Sequence, residues 1–177
     1  MKKMLTLFLI IAIAPLIAGF YGILNDQLTY TLSPEYYTKF KFYQFGLMDT
    51  SNEAIFPNPR LQASIVGFLA TWWVGLPIGI ILGLIGLINK GYKRMLIITI
   101  KAMFVTIFVA FITGLIGLAY GKLYLTNTGV NWWLPENLID KENFIAVGSM
   151  HNFSYIGGLV GLIAGIIYSI RQKKKQL

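Results

Sequence analysis

The chain has 177 residues, 56% hydrophobic and 12% charged, with a net charge of +8 from fifteen Lys and Arg against seven Asp and Glu. Soluble domains are about 45–50% apolar and about 25% charged, so an ordinary soluble enzyme, a disordered chain and a collagen-like chain are excluded. Cysteine is absent, which removes disulfides, thiolate metal sites, Fe–S clusters and cysteine nucleophiles together.

Taken in chain order, four segments reach the ~20 apolar residues that a bilayer crossing needs: about 4–24, 64–88, 95–120 and 152–170. Backbone facing lipid must satisfy its own hydrogen bonds, so these segments are expected to be helices. The sequence predicts an all-α integral membrane protein, a single membrane domain over 1–177. Its architecture is a four-transmembrane-helix bundle with outer loops at 25–63 and 121–151. With the N-terminus inside, Lys2, Lys3, Lys90, Lys93, Arg94, Arg171, Lys173, Lys174 and Lys175 gather at the cytoplasmic ends, and all seven carboxylates fall in the outer loops. The positive-inside rule then places both termini in the cytoplasm. Abundant Lys and Ile without Cys point to a bacterial cytoplasmic (inner) membrane. The first segment has a rival reading as a signal peptide, with Lys2 and Lys3 ahead of an apolar stretch and Ala12-Ile13-Ala14 as the cleavage site. Pro15 directly after that site, and apolar sequence continuing to Leu24, favour a retained helix.

The first outer loop is too long for a plain connector and is crowded with aromatic residues. Leu28-Thr29-Tyr30-Thr31-Leu32 alternates and is β-prone. Ser33-Pro34-Glu35 then reads as a helix start, with Ser as N-cap, Pro at N1 and an early acid. Tyr36, Phe40, Tyr43 and Leu47 follow at helical spacing, and Gly46 ends the helix. The segment is expected to cap the outer end of the bundle, either as an aromatic-belt anchor in the interface or as a lid over a cavity. The stretch from Asp26 to Phe42, followed by Gln44-Phe45-Gly46, and His151-Asn152 with Tyr155 and Gly157-Gly158, resembles an uncharacterised family of small four-span bacterial membrane proteins. That resemblance implies the same layout and carries over no catalytic residue.

Within the spans, glycine recurs at four-residue spacing in Gly75, Gly79 and Gly83, and again in Gly157, Gly161 and Gly165. Each set lies on one helix face and makes a groove for close backbone contact. The contact is either with the chain's own helices or with a partner. Pro77 is expected to kink the second span. Lys101, the only charge inside a span, either snorkels to the cytoplasmic surface or lines an ion path. Trp132 and Trp133 suit an interfacial position in the second loop.

The lone histidine, His151, sits at the outer start of the last span, on the same side as Asp26, Gln27 and Glu35. An outer-face site of Asp26, Gln27, Glu35, His151 and Asn152 is topologically open. His151 with Glu35 and Asp26 would suit a divalent metal, although no paired-ligand spacing supports it. The alternative is a hydrogen-bonded structural histidine with no cofactor. Ser149 or Ser154 could be drawn into a Ser–His–Asp arrangement, without geometric support. No phosphate-binding or dinucleotide motif appears, and the Lys173–Lys175 run reads as a membrane anchor with affinity for anionic lipid, not nucleic acid. The expected function is a non-enzymatic subunit or modulator that packs against a partner membrane protein through its glycine faces and aromatic cap. The alternatives are a homo-oligomeric transporter or channel, and an outer-face metal-dependent enzyme or sensor around His151 and Glu35.

Overall fold

The structure, a computed structural model, describes residues 1–49, 51 and 54–174. Lys175 and Glu53 lie outside the described residues. Five helical elements follow in order: α1 (Lys2–Leu32), α2 (residues 34–44), α3 (Pro59–Gly86), α4 (Tyr92–Thr128) and α5 (Lys141–Lys174). The four long ones are each apolar and long enough to cross a membrane. Among the described residues the only extended pairing is one bridge between Met48 and Ala54. The chain is therefore an all-α four-helix bundle, with both termini and the α3–α4 turn at one end and α2 with the α4–α5 loop at the other, the cap end.

The bundle is two hairpins. α1 packs along α3 and α4 along α5, while contacts between the pairs are few. Glycine makes each hairpin close. A Cβ on Gly22 would fall 2.1 Å from the Gly67 carbonyl oxygen, and one on Gly75 would meet the Ala14 oxygen at 2.6 Å. Gly79 and Gly83 likewise face Ala14 and Leu7. In the second hairpin Gly157 faces Ala110 and Thr113, Gly161 faces Thr106 and Gly165 faces Ala102. Gly75, Gly79, Gly83, Gly157, Gly161 and Gly165 are each covered by the chain's own neighbouring helix, so these two faces are taken up within the bundle. Thr71 Oγ1 donates to the Ala18 oxygen at 2.9 Å and Thr106 Oγ1 to the Gly161 oxygen at 3.1 Å, tying each pair further. Gly158, with nothing within 4 Å, is open. α3 continues helically through Pro77. Lys101 is exposed on the bundle's outer surface, which leaves the snorkelling route clear.

The helices overrun the apolar segments, and this is the main correction to the sequence reading. α1 continues eight residues past 24, so Leu28–Leu32 is helix, not strand, and α5 starts at Lys141 instead of 152. The physical reason is cover. Residues 144–151 of α5 are buried on every face: Phe144 and Val147 join Tyr36, Tyr37, Phe42, Ala63 and Val66 in a core at the cap end, and Ala146 and Ser149 lie against Gly121 of α4. Asn58 caps α3 by accepting from Arg60 and Leu61 N–H, with Pro59 in the first turn. The connections shrink to residues 33–58 and 129–140.

α2 begins as expected: the Ser33 hydroxyl accepts from Tyr36 N–H at 3.3 Å, and Gly46 ends the segment at φ 66°. Its inward face differs. Residues 37–41 form a π turn, whose i→i+5 spacing adds a residue per turn and aligns Tyr37 with Phe42. Tyr36, Tyr37, Lys41 and Phe42 are buried, and Tyr43, expected inward, is exposed.

Candidate functional site

Extending α1 past Leu24 puts Tyr21, Asn25, Asp26 and Thr29 on one face, because residues three to five apart on a helix are neighbours. This face meets His151 and Ser154 of α5 across the seam between the hairpins. Asp26 is 3% exposed and His151 7% exposed. Asp26 Oδ1 lies 3.3 Å from His151 Nε2, and His151 Nδ1 lies 2.9 Å from the Val147 carbonyl oxygen. A carbonyl only accepts, so Nδ1 carries a hydrogen. The Nε2···Oδ1 contact joins α5 to α1.

The cap closes over this pair. The Tyr36 ring stacks on His151 with centroids 5.0 Å apart and planes at 24°. The Tyr37 hydroxyl is 2.6 Å from Thr29 Oγ1 and also neighbours the Asp26 carboxylate. Burial pushes both phenols well up, and the Asp26 charge pushes them further, so both remain neutral hydroxyls. Lys41 is buried with its ammonium against the rings of Tyr36, Phe40 and Phe45 at 5.6–5.9 Å. Burial lowers its pKa, partly countered by Asp26.

Four polar atoms in this seam have no partner at hydrogen-bonding geometry: Asp26 Oδ2, Asn25 Oδ1, the Tyr21 hydroxyl and Ser154 Oγ. Tyr21 and Ser154 adjoin each other without forming a well-directed bond. Leaving such a group buried and unpaired costs about 1–3 kcal/mol. The set is rich in acceptors, since carboxylate and amide oxygens only accept and each hydroxyl offers lone pairs. Its chemistry suits a donor-bearing cation.

Of the residues expected in an outer-face site, Asp26 and His151 meet and the others do not. Gln27 faces α3, donating to the Arg60 oxygen at 2.8 Å and to Ser64 Oγ at 2.9 Å. Asn152 is exposed on α5. Glu35 is a latch between α2 and the second loop. Its carboxylate pairs with Lys39 at 2.6 Å and accepts from the N–H groups of Ile139 at 3.0 Å and Asp140 at 2.7 Å. Lys39 in turn donates to the Asn137 oxygen. Burial raises the Glu35 pKa, but Lys39 and the two N–H groups outweigh it, and the net shift is downward. The trio His151, Glu35 and Asp26 is therefore not assembled as a metal site. Among the described residues no three His, Cys, Asp or Glu side chains converge.

Nor is a Ser–His–Asp triad formed. Both His151 nitrogens are engaged elsewhere, and Ser149 Oγ donates to the Gly117 oxygen at 2.7 Å. Sequence reasoning missed Tyr21, Asn25, Thr29 and Lys41, and named Ser154 only for a triad; the signal that could have found the first three is the helical spacing of 21, 25 and 29. No family model, curated protein or solved structure matches the chain.

Proposed function

We propose that the chain is a non-enzymatic multi-pass membrane protein that binds an ammonium group in the seam between its hairpins and acts as a ligand-dependent modulator. The observation that carries this reading is the set of four unpartnered buried atoms beside the Asp26–His151 pair. A primary ammonium supplies three N–H donors to Asp26, Asn25, Tyr21 and Ser154, and the phenol rings of Tyr36 and Tyr37 favour a cation nearby. Lys41 brings a competing positive charge.

The basic residues at the terminal end support a cytoplasmic location for both termini and an outward-facing cap in a bacterial inner membrane. Lys173 and Lys174 would add attraction to anionic lipid, at about 1 kcal/mol each. The test is thermal unfolding of the detergent-solubilised protein with ethanolamine, choline, Na⁺ or K⁺. Ethanolamine is expected to raise the Tm of the wild type and not of Asp26→Asn. No stabilisation by any of the four overturns the proposal.

A second reading, a subunit docked to another membrane protein, is favoured by a groove of about 820 Å³ on the cap, between Phe40, Tyr43, Trp133 and Pro135. Trp133 there is 67% exposed. Its test is crosslinking in native membranes from Tyr43 and Trp133 positions, where recovery of no second chain refutes it.

A further inference from the structure

A groove of about 620 Å³ runs between α1 and α4, the two helices that belong to different hairpins. This volume is within the ~300–1,000 Å³ range of ligand sites. Its walls are Leu24 and Leu28 on one side and Phe104, Ile107, Phe108 and Phe111 on the other. Leu24, Leu28, Phe104 and Phe108 are exposed on the bundle surface, which is the surface that lipid covers in a bilayer. The groove also touches Tyr21 and Asn25. These carry two of the four unpartnered polar atoms, and Asn25, itself 7% exposed, precedes Asp26 in the chain. An apolar trough open to the bilayer thus runs alongside two of the buried acceptors, with Tyr21 and Asn25 alternating with Leu24 and Leu28 along α1. An amphiphile can set its tail in such a trough and its headgroup on the acceptors beside it.

We propose that the ammonium ligand is the headgroup of a primary-amine phospholipid, which enters from the bilayer and lays an acyl chain between α1 and α4. This rests on the ammonium site proposed above and names its ligand class. The cap covers the pair on the outer side with Tyr36, Tyr37 and Lys41, all buried. The trough adds an apolar surface that a bare amine such as ethanolamine leaves unused and an acyl chain fills. A quaternary headgroup has charge but no N–H, and would leave Asp26 Oδ2 and Asn25 Oδ1 unpaired. Sites built to hydrogen-bond a ligand reject analogues lacking the donor strongly, so at least about a tenfold preference for the primary amine is expected.

The protein in nanodiscs of equal parts phosphatidylethanolamine and phosphatidylcholine would be extracted in mild detergent and weighed by native mass spectrometry. The wild type is expected to retain phosphatidylethanolamine over phosphatidylcholine by at least about tenfold. Tyr21→Phe combined with Asn25→Leu removes two acceptors and is expected to abolish the preference. Leu24→Trp and Ile107→Trp each narrow the trough and are expected to lose the retained lipid. Stabilisation of both Trp variants by ethanolamine would show that they are folded with the ammonium site intact. Equal retention of the two lipids, or lipid retained in both Trp variants, overturns the lipid inference and leaves the ammonium site standing. Failure of ethanolamine to stabilise the wild type overturns the site beneath it.

Discussion

A double replacement separates a structural Asp26–His151 pair from one retained for binding. In His151→Leu, Asp26 loses its contact at Oδ1 while Oδ2 already has no partner, so a buried carboxyl is left with neither oxygen satisfied. Breaking one side of a buried pair costs about 3–5 kcal/mol. Asp26→Leu is milder, because a neutral imidazole keeps its Nδ1–H on the Val147 oxygen at 2.9 Å and only Nε2 is orphaned, at about 1–3 kcal/mol. Asp26→Leu/His151→Leu removes both groups and one of the four orphaned atoms. Apolar replacement of a buried pair is commonly neutral or stabilising by about 1–4 kcal/mol, so the double variant is expected within about 1 kcal/mol of wild type or above it. The assay is unfolding in mixed micelles by rising SDS mole fraction, followed by circular dichroism at 222 nm. A double variant as unstable as the sum of the singles would refute the reasoning, since the pair would then hold the seam together instead of straining it.

The glycine interfaces give a matched comparison. Gly22→Ala drives a Cβ to 2.1 Å from the Gly67 oxygen, a backbone atom that cannot swing aside, and should lose at least the ~1–3 kcal/mol of core overpacking. Gly158→Ala, in open space, should be neutral or stabilise by up to ~1 kcal/mol, both read in the same SDS titration. The Glu35 latch should be acid-labile. With its pKa below the ordinary carboxylate value, its contribution is complete above the unfolded-state pKa and is lost as pH falls through the lower folded one. Protection from hydrogen exchange at 137–142, taken relative to the intrinsic rate at each pH, should fall in that acid range, and in Glu35→Gln at neutral pH; unchanged protection in Glu35→Gln would show that the loop is held by other contacts. Lys41→Met removes the competing charge beside Asp26 and should enlarge the Tm shift at a fixed ethanolamine concentration, whereas a smaller shift would count against an ammonium ligand.

What the sequence discloses depends on whether a signal is local. The spans and the glycine faces are local, being runs and spacings within one helix. Ser33-Pro34 and Gly46 are local too, and both ends of α2 fall where those residues predict. The helical overrun is not. Residues 28–32 alternate like a strand, and residues 141–151 have no uniform polar face. In both, part of the segment is buried, Thr29 in one and residues 144–151 in the other, and burial by distant residues overrides local propensity. Placing Asp26 and His151 on the same side of the bundle follows from topology, but their contact depends on α1 continuing. By topology alone Glu35 is one more carboxylate on that side. Its actual partners include the backbone N–H groups of Ile139 and Asp140, and backbone donors leave no trace in residue identity. The inward turn of Tyr37 and Lys41 depends on the π geometry of residues 37–41, which the 3.6-residue period hides.

The contrast between the two kinds of interface bears on how ligand binding could be transmitted. Inside each hairpin, backbones press together through glycine, and any relative movement gives up dispersion contacts along many turns. Between the hairpins contacts are few, and at the cap end polar and ring contacts, Asp26 with His151 and Tyr36 on His151, stand beside the apolar core that Ala63 and Val66 share with Phe144 and Val147. An occupant touching Asn25 and Asp26 on α1 and Ser154 on α5 adds free energy to one spacing of the hairpins and none to another. Population shifts require that kind of differential contact. The same occupant would compete with the imidazole for the Asp26 carboxylate, so the His151 ring beneath Tyr36 would report occupancy to the cap. A seam of this kind converts binding into a change of hairpin spacing without disturbing either hairpin, which is the physical basis for reading the protein as a modulator.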